Sequence, residues 1–205
     1  MRVCRMGVYR CLMVAGTLLL MAAGSADAGG DNAASEDRLR LDQQAYGLLR
    51  YEWGQYAHLN DITMLRGDVT CDGQEDRVLG WLDRDSPEGL FYRVMLATDA
   101  VGKDEAFSVL GNMAAMSVSL PADRKGAVHM EAGEPLFCSR GELPEVTITL
   151  ESYTKAEAVA LTGLGDACGT TIRLDDGLCD SIRLFWLRRP LGRPVDGERF
   201  VLHRN

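Results

Sequence analysis

The amino-terminal 28 residues constrain the fold most, because they carry the three parts of a cleavable secretory signal peptide. Arg2, Arg5 and Arg10 form a positively charged amino-terminal region, and an apolar run follows over 11–24. Residues 26–28 then have the small-x-small pattern that signal peptidase recognises. The apolar run is shorter than the roughly 20 residues that a membrane-spanning helix needs. We therefore expect an exported protein, periplasmic or secreted, that keeps no membrane anchor after cleavage.

Four cysteines follow the signal, and an even number in an oxidising compartment predicts two disulfides: Cys71, Cys138, Cys168 and Cys179. Four cysteines allow three connectivities. We favour Cys168–Cys179, because a loop of that length closes easily across a turn, which leaves Cys71–Cys138 as the second bridge. A zinc site is the alternative, but no C-x-x-C pair or nearby histidine supports it.

The processed chain is acidic: without the signal it has 19 basic and 29 acidic side chains, a net charge near −10. This balance disfavours nucleic acid and anionic membranes as partners, and it would suit a basic protein or a cation.

Small polar residues over 29–35 predict a flexible leader. The remaining 36–205 is long enough for a single domain with its own core.

Hydrophobic spacing predicts an α+β domain. Leu39, Tyr46, Leu49 and Trp53 repeat at helical intervals, which predicts an amino-terminal helix over about 36–56. A second short helix is expected within 152–164. Short apolar or alternating segments predict strands, several of them joined as hairpins: 77–82, 91–97, 116–120, 146–150, 182–187 and 200–203. We expect a mainly antiparallel sheet with both helices packed on it.

The chemistry-bearing segment is an Asp-rich loop that starts at Asp68. Oxygen-bearing side chains stand at its positions one, three, five, seven and nine: Asp68, Thr70, Asp72, Gln74 and Asp76. This spacing curls oxygen ligands around a hard cation such as calcium, and Gly73 at position six permits the sharp turn. An EF-hand is not expected, because Leu79 occupies the position of its bidentate glutamate.

The loop resembles the calcium loop of FG-GAP (integrin-type) repeats, in which D-x-[DN]-x-D-G-x-x-D leads directly into an apolar strand. Asp68, Asp72, Gly73 and Asp76 match that pattern, whereas Thr70 replaces the usual Asp or Asn. The resemblance implies a calcium site but no adhesive function, because the chain is too short for a full propeller. The wider chain resembles uncharacterised small exported bacterial proteins with one such loop.

A plain turn is the alternative interpretation of the loop, with its carboxylates bonded to the loop's own N–H groups. A second Asp-Gly-x-x-Asp string begins at Asp176 and also precedes a strand with a tryptophan, Trp186, as the first precedes Trp81. The echo has two explanations, duplication or common turn chemistry. Metal is not expected at the second string, because Ile172 and Leu174 replace the first two ligands.

No catalytic residue is assigned. His58, His129 and His203 form no metal-binding pair, and no G-x-S-x-G elbow is present. The sequence predicts a non-enzymatic binding or structural domain that calcium stabilises. Two alternatives stay open: an acidic inhibitor or immunity protein against a basic exported enzyme, and a small hydrolase that uses carboxylates such as Asp83 and Asp85.

Overall fold

A computed structural model describes residues 30–54, 61–87, 89–99, 108–122, 136–138, 145–191 and 198–204. The predicted signal peptide lies outside the described residues. The chain divides into two compact units, 1–39 and 40–205, and both sheets belong to the second unit.

The described residues form two helices and nine strands, and every strand pair is antiparallel. The elements in chain order are α1 (Gly30–Trp53), β1 (Thr63–Gly67), β2 (Asp76–Asp83), β3 (Phe91–Asp99), β4 (Ser108–Leu110), β5 (Met113–Pro121), β6 (Thr147–Ser152), α2 (Lys155–Thr162), β7 (Ala167–Asp175), β8 (Ile182–Leu191) and β9 (Glu198–Arg204). The predicted α+β class with an amino-terminal helix is confirmed. Helix α1 begins at Gly30 and so includes residues for which the sequence predicts a leader.

The strands build two sheets, whereas the sequence pattern predicted one. The first sheet has the order β1-β2-β3-β5-β4 and the second the order β6-β7-β8-β9. Their inner faces share one apolar core, which includes Val78, Val94, Leu96, Ile148, Ile172, Leu184 and Trp186. Two sheets packed face to face bury alternate residues of each strand, so the hairpins found in the sequence serve two layers.

Each outer face packs against a helix. Ala45, Leu48 and Leu49 of α1 are fully buried with Leu79 and Trp81 of β2. Helix α2 buries Ala158 in a smaller cluster that includes Phe185 and Leu187 of β8. Adjacent strand residues point to opposite faces, and both faces of the two sheets therefore have an apolar cover.

The ends of α2 follow from local sequence chemistry. Thr154 is the N-cap, and its backbone N–H donates to the Glu157 carboxylate while its hydroxyl accepts the Glu157 N–H, a capping box. Gly163 ends the helix in the left-handed conformation, with a φ of 71°. The second short helix predicted within 152–164 is confirmed.

Helix α1 is also tied to the first sheet by charge. Arg77 of β2 is fully buried and points to the α1 side, where its Nε lies 2.8 Å from Asp42 Oδ1. Arg66 contacts the same carboxylate at 2.6 Å. The hydrogen bond from Arg66 lowers the pKa of Asp42 most; burial opposes it, and Arg77 adds to the lowering. The carboxylate is therefore held in its charged form against a buried guanidinium.

Candidate functional site

The Asp-rich loop connects β1 and β2 as a hairpin whose last ladder pair is Gly67 with Asp76. Two residues in the loop have a positive φ, Cys71 at 55° and Gly73 at 86°. Glycine adopts this conformation freely, but a residue with a side chain pays about 1–2 kcal/mol for it. The backbone at Cys71 therefore needs support from outside the loop.

Two loop carboxylates accept backbone hydrogen bonds from the loop itself. Asp68 accepts the N–H groups of Asp72 and Gly73, each at 3.1 Å. Asp72 accepts the N–H of Gln74 at 2.9 Å. These contacts give the loop the self-bonded geometry that a plain turn would have, and they leave each carboxylate with further lone pairs.

Asp76 lies at the inner end of the loop and is fully buried. Its Oδ2 accepts the N–H groups of Val69 and Thr70, each at 2.8 Å. Burial raises the pKa of Asp76, and the hydroxyl of Thr98 and these two N–H groups offset that effect only in part. Asp76 is thus a buried carboxylate whose negative charge is incompletely compensated.

Three buried oxygens near this carboxylate have no hydrogen-bond partner: Asp76 Oδ1, Thr70 Oγ1 and Thr98 Oγ1. Thr98 stands on β3, one position beyond the ladder pair of Arg77 with Ala97, and so lies across from Asp76. A hydrogen bond from the Thr98 hydroxyl is the first of the causes that lower the Asp76 pKa, so this hydroxyl lies close to the carboxylate although its geometry is poor. Buried polar atoms in proteins are almost always satisfied, and an ion or water is a common reason for an exception.

The predicted ligand set is thus brought together only in part. Thr70 and Asp76 share a direct contact and are buried, whereas Asp72 and Gln74 are exposed at the tip of the hairpin. In the part of the chain that the structure describes, no three His, Cys, Asp or Glu side chains are grouped to hold a metal. Calcium also binds hydroxyl and carbonyl oxygens. Calcium binding by the loop stays a prediction.

A disulfide joins the loop to the second sheet. Cys71 pairs with Cys168, with 5.8 Å between their Cα atoms, and Cys138 pairs with Cys179, with 5.4 Å. Both distances suit a bridge. Arg188 of β8 adds a second tie, because its Nη2 donates to the Cys71 carbonyl oxygen at 2.6 Å. The backbone at Cys71 is therefore held from the second sheet at two points.

The favoured pairing of Cys168 with Cys179, and of Cys71 with Cys138, is wrong. Strand β7 (Ala167–Asp175) was not foreseen, and it extends between Cys168, its second residue, and the loop that contains Cys179. An extended strand rises about 3.3 Å per residue, which separates these two cysteines by the length of β7. All four cysteines are paired, as predicted, but not with the partners predicted.

The second Asp-Gly string forms the loop between β7 and β8 and is satisfied differently. Asp176 Oδ1 accepts the N–H groups of Leu178 at 3.1 Å and Cys179 at 2.9 Å, and Oδ2 accepts that of Cys138 at 2.5 Å. Burial would raise the pKa of Asp176, but these N–H donors hold it below the ordinary value. Asp176 thus accepts three protein N–H groups, and its negative charge is compensated within the protein.

A polar cluster on the outer face of the second sheet was missed by the sequence reasoning. Arg183 Nε contacts Glu151 Oε2 at 2.9 Å and Tyr153 Oη at 2.7 Å, and Arg173 contacts Glu151 Oε1 at 2.8 Å. Burial would raise the pKa of Glu151, but the hydrogen bonds from Tyr153, Arg183 and Arg173 lower it overall. Arg183, between Ile182 and Leu184 in the predicted strand 182–187, was the available signal.

The carboxylate pair named as a catalytic alternative is held by a structural contact. Asp83 is fully buried, and its Oδ2 lies 2.9 Å from Arg93 Nη2. The Arg93 guanidinium stacks over the rings of Trp53 at 4.3 Å and Phe91 at 4.6 Å. Asp85 donates its backbone N–H to Asp83 Oδ1 at 3.3 Å. The pair therefore anchors β2 to β3 and α1.

His203 lies on β9 opposite Arg183 and is partly buried. His58 and His129 lie outside the described residues.

Comparison with known proteins adds no family: no family model matches the chain, and no curated protein or solved structure is significantly similar to it. In the described residues, no helix is long and apolar enough to span a membrane.

Proposed function

We propose that this chain is an exported, non-enzymatic binding or structural domain whose Asp68–Asp76 loop binds a calcium ion. The observation that carries the proposal is the group of buried oxygens without partners at the inner end of the loop, Asp76 Oδ1 and Thr70 Oγ1. A hard cation would use both atoms and would compensate the charge of a fully buried carboxylate.

The loop backbone supports the same proposal. Its turn is already formed, with Asp68 and Asp72 holding the N–H groups around Cys71 and Gly73. A preformed loop loses less conformational entropy when a ligand binds. Carboxylates that accept one N–H per oxygen keep lone pairs for an ion, so self-bonding and calcium binding are compatible in this loop.

The described carboxyl groups do not favour the alternative of a hydrolase with a carboxylic general acid. A general acid at neutral pH needs a raised pKa and access to substrate. Among the described carboxyl groups with a shifted pKa, only that of Asp76 is raised, and Asp76 is fully buried and bonded to two backbone N–H groups. Export is supported by the two disulfides, which persist in oxidising compartments.

Thermal unfolding of the oxidised, processed chain with calcium and with EDTA tests the calcium site. A ligand at a hundred times its Kd adds about 2.7 kcal/mol to the free energy of unfolding, which for a domain of this size raises Tm by about 5–10 °C. Asp72→Asn keeps an oxygen that can accept the Gln74 N–H but loses the charge, and we expect it to remove most of this shift.

Asp180→Asn is the matched control, because Asp180 is an exposed aspartate in the second loop. It should leave the calcium-dependent shift unchanged. An identical Tm with calcium and with EDTA in all three proteins would contradict calcium binding and would make the loop a structural turn.

A further inference from the structure

The bridge between Cys71 and Cys168 enters the candidate calcium loop at its centre. Cys71 lies between Thr70 and Asp72, two of the proposed ligands, and it has the left-handed φ of 55°. Its partner Cys168 is the second residue of β7, in the other sheet. The conformation of the proposed ligand loop is thus tied to the second sheet by a bond that can be cut and remade.

We propose that the Cys71–Cys168 disulfide is a redox control on the calcium site, an inference that rests on the proposed function. With the bridge intact, the loop holds Thr70 and Asp72 in the conformation that binds calcium. With the bridge reduced, the left-handed conformation at Cys71 loses its covalent support, and calcium affinity falls.

The bridge is the covalent contact of Cys71 with the second sheet, and weaker contacts surround it: its side chain lies against the apolar core, and Asp68 accepts the N–H groups of the two residues that follow it. The Cys71 carbonyl oxygen accepts one hydrogen bond, from Arg188, an exposed side chain of β8. A single bond from an exposed side chain competes with water. The left-handed region disfavours any residue with a Cβ, so the reduced loop would redistribute toward conformations with a negative φ at Cys71. Those conformations move the side chains on either side of it.

The chemical step is thiol–disulfide exchange with a dithiol reductant. The reductant thiolate attacks Cys71 Sγ, because Cys71 is partly exposed whereas Cys168 is only 2% exposed. The Sγ–Sγ bond breaks, Cys168 leaves as a thiolate and takes a proton, and a mixed disulfide forms at Cys71. The second thiol of the reductant then displaces the Cys71 sulfur, so two electrons and two protons pass to the protein and the reductant becomes a disulfide.

Reciprocity gives the proposal a second, independent readout. If the bridge strengthens calcium binding by some factor, calcium must stabilise the bridge against reduction by the same factor. A tenfold coupling corresponds to a reduction potential about 30 mV more negative in calcium than in EDTA. The Cys138–Cys179 bridge supports the satisfied second loop, and its potential should not respond to calcium.

The first experiment measures the calcium Kd by isothermal titration of three proteins: the oxidised processed chain, Cys71→Ala/Cys168→Ala, and the matched control Cys138→Ala/Cys179→Ala. We expect roughly tenfold weaker binding in the first variant and an unchanged Kd in the control. The second experiment needs no variant: it reads both bridges of the wild-type chain by differential alkylation and mass spectrometry across a dithiothreitol redox series, with calcium and with EDTA.

The outcomes separate the two proposals. Calcium binding by the oxidised wild type that is equally tight in Cys71→Ala/Cys168→Ala, or a Cys71–Cys168 potential that calcium does not move, overturns the redox control and leaves the calcium site standing. No calcium binding by the oxidised wild type overturns the calcium site and the redox control together. A calcium-dependent shift of the Cys71–Cys168 potential alone supports both, whether or not the variant folds.

Discussion

Two hairpins of this protein share an Asp-Gly-x-x-Asp string in their loops, but the carboxylates of the two loops have different surroundings. In both, an Asp-Gly loop leads into a strand whose second residue is an outward arginine, Arg77 in β2 and Arg183 in β8. The first loop leaves Asp76 Oδ1 without a donor, whereas Asp176 in the second loop has donors on both oxygens. The pKa of Asp76 is raised, and that of Asp176 is lowered.

The tryptophans of the two hairpins show how far one residue can change a similar pattern. Trp81 follows Asp72 by nine positions and Trp186 follows Asp176 by ten. A strand alternates its faces at every residue, so Trp81 packs under α1 while Trp186 lies in the core between the sheets. The two hairpins therefore have similar turns, but the turn does not determine the face of the strand on which the tryptophan lies.

Removing a disulfide should cause the largest loss of stability, and the size of the loss should differ between the two bridges. The Cys71–Cys168 bridge closes a span of 97 residues and the Cys138–Cys179 bridge a span of 41. The chain-entropy model gives losses of about 4.7 and about 4 kcal/mol in the free energy of unfolding. Urea unfolding of the two double alanine variants measures both. A larger loss of unfolding free energy from Cys138→Ala/Cys179→Ala would contradict the expectation that the bridge with the longer span stabilises the protein more.

Asp76→Ala and Asp176→Ala compare the two key carboxylates directly. Asp76→Ala leaves the buried N–H groups of Val69 and Thr70 without an acceptor, and we expect a loss of about 3 kcal/mol. Asp176 is only partly buried, so water can replace it, and about 1–2 kcal/mol is expected. Urea unfolding in EDTA keeps calcium out of this comparison. Equal losses of unfolding free energy would contradict the expectation that the deeper burial of Asp76 makes its replacement more costly.

The carboxylates that contact the outward arginines give the most pH-dependent difference. Asp42→Asn leaves the fully buried Arg77 less compensated, and about 2 kcal/mol should be lost at pH 7. The folded pKa of Asp42 is lowered from 3.8, so its contribution is present above that value and disappears as the pH falls through the folded pKa. Wild type and variant should therefore converge in strongly acidic solution.

Glu151→Gln is the counterpart beside Arg183 and should cost less, about 1 kcal/mol at pH 7, because Tyr153 keeps a contact with Arg183. The folded pKa of Glu151 is lowered from 4.5, so this loss too should fade as the pH falls. Unfolding free energies at pH 7 and at about pH 3 check both variants. A penalty at Asp42 that did not shrink in acid would show that packing, not charge, causes it.

Local periodicity carried the prediction of the fold class, because helices and hairpins are specified by neighbouring residues. It located β2, β3 and both helices. It missed the division into two sheets, because the alternation of residues within one strand does not indicate to which sheet that strand belongs. It also missed β7, and with it the pairing of Cys168.

The sequence predicted the part of the candidate site that lies within the Asp68–Asp76 loop, and no residue outside it. The loop spacing identified Thr70 and Asp76, which the structure brings into contact. Thr98 has no local signal, because only the register of β2 with β3 places it across from Asp76. The same limit hid the outward contacts of Arg183, whose partners Glu151 and Tyr153 stand about thirty residues earlier in the chain.

The two disulfides interleave along the chain, because Cys138 lies between Cys71 and Cys168 while its own partner, Cys179, lies beyond both. A chain that crosses a membrane amino-terminus first would present Cys71 and Cys138 to an oxidant before Cys168 emerges. Oxidation in that order would join Cys71 to Cys138 and then Cys168 to Cys179, neither of which is native. If the chain is exported, as we propose, its maturation would then depend on rearrangement of these bridges, and so on a compartment that supplies thiols as well as oxidants.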